Sequence, residues 1–299
     1  MANQQQGTQH EQLDKAKALI EALPYMQGFR GQTFLVKVGG SAMEDPALVE
    51  SLMRDIVFME VIGINPVIVH GGGKAISRAM SDAGLEARFV GGLRVTDERA
   101  VAIVEKTLSE VINPSLVEML IKFGGRGQGF AGTDVFVGEK LAPAVGPDGE
   151  AVDLGCVGRV VDFQTEAIEA AIAAEEVPVV SPIASERGTG QSLNVNADVA
   201  AAALAGRLRA DKIIFISDVL GVMRDPADPA SLLGTITRAE ADQLIADGVI
   251  SGGMIPKVTS SQECLEAGVK KVHLIDGRIE HSLLLEIFTE DGIGTEIVS

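Results

Sequence analysis

The stretch IVHGGGKA, residues 68–75, joins an apolar run to a segment with helical periodicity. Three consecutive glycines leave their backbone N–H groups uncovered and permit positive φ, so the loop can wrap closely around an anion. The N-terminus of the following helix favours the same ligand, because its unpaired N–H groups and the helix dipole attract negative charge. The stretch predicts either a phosphate or carboxylate site, or a purely structural turn at the end of a strand.

Two familiar motifs resemble this stretch but do not match it. A Walker motif needs Gly at position 68 and Ser or Thr at position 75, where this chain has Ile68 and Ala75. An esterase oxyanion loop needs a G-x-S-x-G nucleophile elbow, and the sequence contains none.

Strand-like and helix-like segments alternate on both sides of the stretch. Apolar, β-branched runs predict strands at residues 33–38, 66–70, 177–182, 212–217 and 271–275. Helical periodicity predicts helices at residues 46–61, 75–83, 97–123, 164–174, 197–208, 238–247 and 257–267. Such alternation is typical of an open, mainly parallel sheet with helices on both faces.

The region between residues 89 and 163 departs from this alternation. Its segments are short and punctuated by glycine, and the Pro-Asp-Gly turn at 147–149 predicts β-hairpins over or beside the main sheet. No repeat and no long linker interrupts the chain, so we expect one domain with two lobes.

The composition agrees with a buried parallel sheet and excludes several functions. Apolar residues make up 46% of the chain, with no Trp and one Tyr, which is typical of a sheet covered on both faces. The formal charge of −17 argues against a nucleic-acid surface. Cys156 and Cys264 lie far apart without metal-ligand spacing, which predicts reduced thiols and a cytoplasmic protein. The sequence has neither a secretory signal nor an apolar run of about eighteen residues.

Small and polar residues end three of the predicted strands, where ligands bind in sheets of this kind. The first ends in Lys-Val-Gly-Gly-Ser at 37–41, the second in His-Gly-Gly-Gly-Lys at 70–74, and the fourth in Ser-Asp-Val-Leu-Gly at 217–221. We expect these ends to meet in one crevice.

Two lysines could supply the positive charge of that crevice. Lys37 lies inside an apolar strand, where a charge is costly unless an anion or carboxylate meets it, or unless the strand is an exposed edge. Lys257 follows two glycines at the start of a predicted helix, where it could reach a phosphate or remain solvated. A positively charged pocket that contains no general acid or general base is suited to phosphoryl transfer.

Other polar residues could complete the crevice. Asp198 opens a predicted helix beside Asn194 and Asn196, and it could either cap that helix or hold the two lysines. Arg94 offers a planar fork suited to a carboxylate, and the Thr-Asp-Glu sequence at 96–98 predicts the cap of the next helix.

Two more segments complete the prediction. Residues 127–132 match G-x-G-x-x-G but follow a predicted helix, so we interpret them as a flexible loop rather than a dinucleotide site. Residues 1–9 are polar and predicted to be disordered. Residues 13–23 predict an amphipathic helix that ends at Pro24. Its apolar face would pack on its own domain or on another subunit.

Six segments in this order resemble the amino acid kinase family: VKVGGSAM, VIVHGGGKAI, GLRVTD, SLNVNADVAAAALA, ISDVLGV and GGMIPKV. The resemblance implies a three-layer αβα fold with an open, mainly parallel sheet. It implies an N-terminal extension at 1–31 and one kinase domain at 32–299, with an acyl-substrate lobe at 32–183 and an ATP lobe at 184–299.

The set is most similar to family members that phosphorylate the side-chain carboxylate of N-acetyl-L-glutamate in arginine biosynthesis. The resemblance implies ATP as phosphoryl donor, with Mg²⁺ carried by the nucleotide. It assigns Lys37 and Lys257 to the transferring phosphoryl group and Asp198 to their organisation. The implied backbone donors are Gly39, Gly40, Gly72 and Gly73.

The resemblance also indicates which residues bind the acyl substrate and which lie nearest to ATP. Arg94 and Asn194 would bind the α-carboxylate and acetamido end of the acyl substrate. The residues nearest to ATP would be Ser217, Asp218 and Gly221.

The N-terminal segment is similar to the extension of hexameric family members that L-arginine inhibits. The resemblance implies a trimer of dimers interlaced by this helix, with arginine bound by Tyr25, Glu290 and Gly292. A PII signalling protein is a further partner that the resemblance allows.

Two alternatives stay open at this point. The substrate could be a related acid, such as N-acetyl-aminoadipate or a carrier-linked amino acid, because one methylene changes binding by only about 1–3 kcal/mol. The chain could instead be a non-catalytic amino-acid or nucleotide sensor. The presence of both Lys37 and Lys257 argues against the sensor.

Overall fold

An eight-stranded sheet forms the centre of the protein in the computed structural model. The structure describes residues 2–146, 148–252 and 254–299, with side chains from residue 13 onward except that of Ser41. The strands are β1 (Thr33–Val38), β2 (Asn65–His70), β3 (Phe89–Val90), β4 (Leu93–Arg94), β5 (Gly127–Phe130), β6 (Phe136–Lys140), β7 (Ala144–Val145), β8 (Ala151–Val152), β9 (Val157–Phe163), β10 (Val177–Val180), β11 (Ile183–Glu186), β12 (Ser192–Val195), β13 (Lys212–Ser217), β14 (Thr235–Thr237), β15 (Lys271–Asp276) and β16 (Thr295–Val298).

The helices connect these strands over both faces of the sheet. They are α1 (Ala2–Phe29), α2 (Pro46–Val61), α3 (Gly73–Asp82), α4 (Glu98–Glu105), α5 (Asn113–Lys122), α6 (Glu166–Ala173), α7 (Ala197–Leu208), α8 (Arg238–Ala246), α9 (Met254–Glu266) and α10 (Ser282–Ile287). A π-helical segment, Lys106–Ile112, joins α4 to α5. None of the helices within the described residues is long and apolar enough to span a bilayer.

The sheet has the strand order β14-β16-β15-β13-β1-β2-β10-β5. Every neighbouring pair is parallel except β15 and β16. The prediction of an open, mainly parallel sheet is therefore confirmed, and β1 lies in its interior between β2 and β13.

Two apolar layers hold the helices against the sheet. One layer contains side chains from α2, α5 and α10, and the other contains side chains from α6, α7, α8 and α9. In β1, Phe34 and Val36 face the first layer and Leu35 faces the second. Because side chains alternate along a strand, Lys37 shares the face of Leu35 and points toward α7.

The glycine-punctuated region forms the hairpins that the sequence predicts. Strands β3 and β4 pair antiparallel, as do β7 and β8. The predicted turn at 147–149 lies between β7 and β8, although Pro147 itself lies outside the described residues. Strands β6, β9, β11 and β12 close into a small barrel beside the sheet, and closure leaves these strands without an open edge.

The prediction for the N-terminal segment is wrong in two respects. Residues 2–9 are helical rather than disordered, and the helix continues past Pro24 to Phe29. A proline removes one backbone hydrogen bond from a helix interior, and water can satisfy the freed carbonyl of Ile20 because Ile20 and Pro24 are both exposed. Phe29 at the end of α1 packs against the layer that contains α2. Four other apolar side chains of α1 are exposed: Leu13, Leu19, Ile20 and Leu23.

The prediction of a flexible loop at 127–132 is also wrong. Residues Gly127–Phe130 form the edge strand β5, which pairs in parallel with β10. The glycines permit this strand to lie against α5, since a Cβ on Gly127 would lie 3.0 Å from Leu120. A strand at this position follows a helix and has no apolar alternation, so its sequence gives no strand signal.

Candidate active site

Lys37 lies in the interior of the molecule rather than on an edge strand. Its strand, β1, has a neighbour on each side, and the residue is only 7% exposed. Its Nζ lies 2.7 Å from Oδ1 of Asp198. The alternative of a solvated edge lysine is therefore wrong.

Asp198 lies in the first turn of α7 and contacts two lysines. The N-cap of α7 is Asn196, which accepts hydrogen bonds from the N–H groups of Asp198 and Val199. The side chain of Asp198 is not needed as a cap, and its Oδ2 lies 3.5 Å from Nζ of Lys257 in the first turn of α9. The expected group of Lys37, Asp198 and Lys257 is thus assembled from β1, α7 and α9.

The charges of this group favour an anionic ligand. Burial alone would raise the pKa of Asp198, but the ammonium groups of Lys37 and Lys257 together outweigh burial and hold the pKa below its usual range. Asp198 is therefore ionised at neutral pH, and the three residues carry a net charge of about +1. In a poorly solvated pocket such a charge attracts an anion strongly.

The two predicted glycine loops line the same pocket. A Cβ on Gly39 would collide with the Lys37 ammonium group. A Cβ on Gly40 would collide with the Asp218 carboxylate. Gly72 precedes α3 without a side-chain cap, so the first N–H groups of that helix stay available to a ligand.

Arg94 is a buried cation without a counter-ion among the described residues. It is 7% exposed and donates hydrogen bonds to the Gly73 carbonyl at 2.8 Å and to Oγ of Ser77 at 2.9 Å. The ring of Phe89 lies 4.7 Å from its guanidinium carbon. Burial lowers the pKa of Arg94. A buried cation of this kind is costly unless a ligand neutralises it.

Thr96 connects Arg94 to Asn194 and was not predicted as a site residue. Its hydroxyl donates to the Arg94 carbonyl at 2.7 Å and accepts from Nδ2 of Asn194 at 3.2 Å. Thr96 is completely buried. The N-cap of α4 is Asp97, which accepts from the Ala100 N–H, so Thr96 is free for this contact. Only its contact with Asn194 in β12, distant in sequence, indicates a role for it in the site.

Most of the predicted site residues, although not Lys257, line one cavity of about 230 Å³. The predicted site residues that line it are Lys37, Gly39, Gly40, Gly72, Gly73, Arg94, Asn194 and Asp198. Leu93 and Val157 form an apolar wall. A neighbouring cavity of about 530 Å³ shares Gly40, Gly72 and Arg94 with the first and extends to Asp218.

The three residues assigned to ATP lie at the end of β13 and in the loop that follows it, but their surroundings differ. Oγ of Ser217 is buried and has no hydrogen-bond partner among the described residues. Asp218 lies at the entrance shared with Gly40. Gly221 packs against Thr295. Their contact with a nucleotide stays a prediction.

A separate cavity of about 450 Å³ contains the residues assigned to arginine, namely Tyr25, Glu290 and Gly292. Glu286 lines the same cavity and lies 2.7 Å from Nδ1 of His273. Burial would raise the pKa of Glu286, but His273 and the N–H groups of Ile293 and Gly294 lower it overall. Glu286 is therefore a carboxylate at neutral pH.

Comparison with known proteins gives consistent results. Residues 32–276 match the model of the amino acid kinase family. An acetylglutamate kinase from Akkermansia muciniphila is 58% identical over 96% of this chain and 96% of its own length. An acetylglutamate kinase from Methanocaldococcus jannaschii is 46% identical over 96% of this chain and 97% of its own length. The structure of an N-acetylglutamate synthase from Neisseria gonorrhoeae, complexed with coenzyme A and N-acetyl-glutamate, has a TM-score of 0.81 at 24% identity, over 95% of this chain and 63% of that one.

Replacing the central carboxylate should destabilise the fold. Asp198→Asn leaves two ammonium groups unpaired in a poorly solvated pocket, so we expect the free energy of unfolding in urea to fall by about 3 kcal/mol at pH 7.5. The pKa of Asp198 is lower in the folded state than its usual value of 3.8. The carboxylate therefore makes its full contribution to the free energy of unfolding above about pH 3.8, and this contribution is lost as the pH falls through the folded-state pKa. The difference between wild type and variant should therefore be constant from about pH 8 to 5 and shrink only below about pH 4.

Glu139→Gln is the matched control. Glu139 also lies between two cations, Arg159 at 3.4 Å and Arg187 at 3.5 Å, but these pairs are exposed. We expect a change within about 0.5 kcal/mol. Equal losses in the two variants would contradict the described electrostatics.

Proposed function

The chain belongs to the amino acid kinase family, and on that premise we propose that it transfers the γ-phosphoryl group of ATP to the side-chain carboxylate of N-acetyl-L-glutamate. The products are N-acetyl-L-glutamyl 5-phosphate and ADP, and the reaction is the second step of arginine biosynthesis. The observation that carries the chemistry is the contact of Lys37 and Lys257 with one carboxylate, Asp198, at the edge of the cavity. The relatives that bear the name acetylglutamate kinase support the acyl substrate.

The mechanism requires positioning and charge neutralisation rather than a general base. The substrate carboxylate is already ionised at neutral pH. One of its oxygens forms a bond to the γ-phosphorus while the bond to the β,γ-bridging oxygen breaks, and ADP leaves with that electron pair. Lys37, Lys257 and the N–H groups of the glycine loops stabilise the charge on the transferring group. Asp198 contacts both ammonium groups and would hold them side by side next to the transferring group.

The two substrates would approach from different lobes. ATP lies over residues 184–299, near Ser217, Asp218 and Gly221, and the acyl acid lies over residues 32–183. Mg²⁺ bound to the nucleotide supplies further neutralisation of the phosphate oxygens. Among the described residues no group of three His, Cys, Asp or Glu side chains is arranged to hold a metal, so the ion would be held largely by the phosphates.

Arg94 gives the acyl acid its orientation. Its unpaired guanidinium would neutralise the α-carboxylate, with Asn194 beside it. The apolar wall of Leu93 and Val157 suits the methyl group of the acetyl moiety. This arrangement places the other end of the acid toward Lys37.

The direct test is formation of acyl phosphate from ATP, trapped as the hydroxamate. N-acetyl-L-glutamate, L-glutamate and N-acetyl-L-aminoadipate are assayed in parallel, and we expect turnover mainly with the first. Lys37→Ala should abolish most turnover while ATP binding is largely kept. Turnover with another acid alone would retain the chemistry and overturn the substrate. No turnover with any acid would favour the sensor alternative.

A second prediction concerns the acyl pocket. Thr96→Val removes the hydroxyl that joins Arg94 to Asn194 while keeping the side-chain shape. We expect the KM for N-acetyl-L-glutamate to rise about tenfold, which corresponds to one lost hydrogen bond, with kcat and the KM for ATP nearly unchanged. Thr96→Ser keeps the hydroxyl and should retain the wild-type KM. If Thr96→Ser and Thr96→Val behave alike, the hydroxyl does not position the acyl site.

We also propose that L-arginine inhibits the enzyme from the cavity beside α1. The charged residues that line this cavity are Asp211, Lys212, Lys270, Lys271, Glu286, Glu290, Asp291 and Glu296. Carboxylates outnumber ammonium groups among them, which favours a guanidinium ligand. The exposed apolar residues of α1 support assembly with other copies of the chain, as a hexamer built from dimers.

Deletion of residues 1–26 tests this regulation. It removes Tyr25 and the exposed face of α1, so we expect loss of arginine inhibition and a smaller assembly by light scattering, with kcat nearly unchanged. Glu290→Gln keeps α1 and removes one carboxylate from the cavity, so it should weaken arginine inhibition without changing the assembly. Unchanged inhibition and size after the deletion would overturn the regulatory proposal.

A further inference from the structure

His70 is a buried titratable residue that the mechanism above does not use. It ends β2, pairs in register with Val38 of β1, and is completely buried. The glycine loop begins at the next residue. An imidazole in this position needs polar partners, because a buried polar group without hydrogen bonds is costly.

The partners of His70 determine its tautomer. Nδ1 lies 3.1 Å from the carbonyl oxygen of Gly71, which can only accept, so Nδ1 carries the proton. Burial lowers the pKa of His70 to about 4, so the ring is neutral at physiological pH. Nε2 must then be an acceptor, and Nδ2 of Asn113 lies 3.3 Å away as its donor.

Asn113 is itself held rigidly in the core. It is 3% exposed, and Nδ2 also donates to the carbonyl of Val179 in β10 at 2.8 Å. The amide nitrogen thus has acceptors in β10 and in the imidazole, with the Phe130 carbonyl as a third at 3.5 Å. Asn113 begins α5 directly after the π-helical segment.

The π-helical segment supports the glycine loop by a second contact. A Cβ on Gly72 would lie 2.5 Å from Cδ1 of Ile112 and 2.8 Å from Cδ2 of Leu108, both in that segment. A side chain there would force the ends of these two side chains to shift. π-helical turns are rare and are frequent at functional sites. Here the turn brings two apolar side chains against Gly72 and leads into Asn113.

The hydrogen bond to Gly71 has a geometric consequence for Gly72. In a planar trans peptide the C=O of one residue and the N–H of the next point in opposite directions. Because the Gly71 carbonyl bonds to His70, the Gly72 N–H points away from the imidazole. Gly72 lines the cavity that also contains Lys37 and Asp198.

We propose that His70 and Asn113 are positioning residues that direct the Gly72 N–H at the transferring phosphoryl group. The chain of contacts runs from Val179 through Asn113 and His70 to the Gly71 carbonyl. These contacts connect the glycine loop to the sheet and fix the orientation of the peptide between Gly71 and Gly72. This inference rests on the proposed phosphoryl transfer.

Two polar substitutions of His70 separate positioning from simple packing. In His70→Asn the side-chain amide can occupy the place of Nδ1 and still donate to Gly71. In His70→Gln the amide lies near the place of Nε2 and cannot. We expect His70→Gln to lower kcat by about 100-fold, the lower end for loss of an oxyanion donor, with the KM values nearly unchanged. His70→Asn should retain most of kcat.

Thermal unfolding and a second variant control for folding. Kinetics are compared at a temperature where every variant is folded. If His70→Gln does not fold, Asn113→Ala tests the same contacts from the other end and should lower kcat without raising the KM for ATP. Equal kcat for His70→Asn and His70→Gln, or KM changes in place of kcat changes, would overturn the proposal.

A binding measurement keeps this inference separate from the proposed substrate. Beryllium fluoride bound with ADP mimics the γ-phosphoryl group and requires no acyl acid. We expect calorimetry to record tighter ADP binding with beryllium fluoride in wild type and His70→Asn but not in His70→Gln, with ADP alone binding equally to all three. If wild type phosphorylates no acid but this pattern holds, only the proposed function fails. If all three respond alike to beryllium fluoride, the positioning role fails.

Discussion

The ion group of Lys37, Asp198 and Lys257 is the interaction on which the site depends. Lys37 is interior because β1 pairs with a strand on each side, and an interior ammonium needs an anionic partner. Asp198 can supply it only because Asn196 already caps α7. The same carboxylate reaches Lys257 in α9. One strand and two helices from distant parts of the sequence are therefore held in a common arrangement by one carboxylate.

The site is locally positive in a chain whose formal charge is −17. General electrostatic attraction cannot bring an anion to such a protein, so recognition must come from short-range groups. The structure provides three kinds: paired ammonium groups, a buried guanidinium, and backbone N–H groups of glycine loops. None of them depends on a proton transfer near neutral pH. This agrees with a reaction in which charge neutralisation supplies most of the rate acceleration.

The two candidate ligand sites lie at opposite ends of the same strands. β13 begins with Lys212, beside the cavity assigned to arginine, and ends with Ser217 near the expected nucleotide. β15 likewise begins near that cavity with Lys271 and ends at Asp276. A strand hydrogen-bonded on both sides moves as a unit with its neighbours, so a ligand at one end can affect the other only through a change in how these strands pack.

The sequence by itself determined the alternating elements and indicated most of the polar residues that the structure brings to one cavity. Helix α2 and strand β1 have the predicted bounds, because strong periodicity and a turn residue mark each end. Lys37 could be identified because a charged residue in an apolar strand requires a partner. Asp198 could be identified from its place at a helix start, and Arg94 from its planar fork. Only the tertiary structure decided the strand β5, the continuation of α1 past Pro24, and the contacts of Thr96, His70 and Asn113. These depend on contacts between segments far apart in the chain, and local propensity and periodicity report only on neighbouring residues.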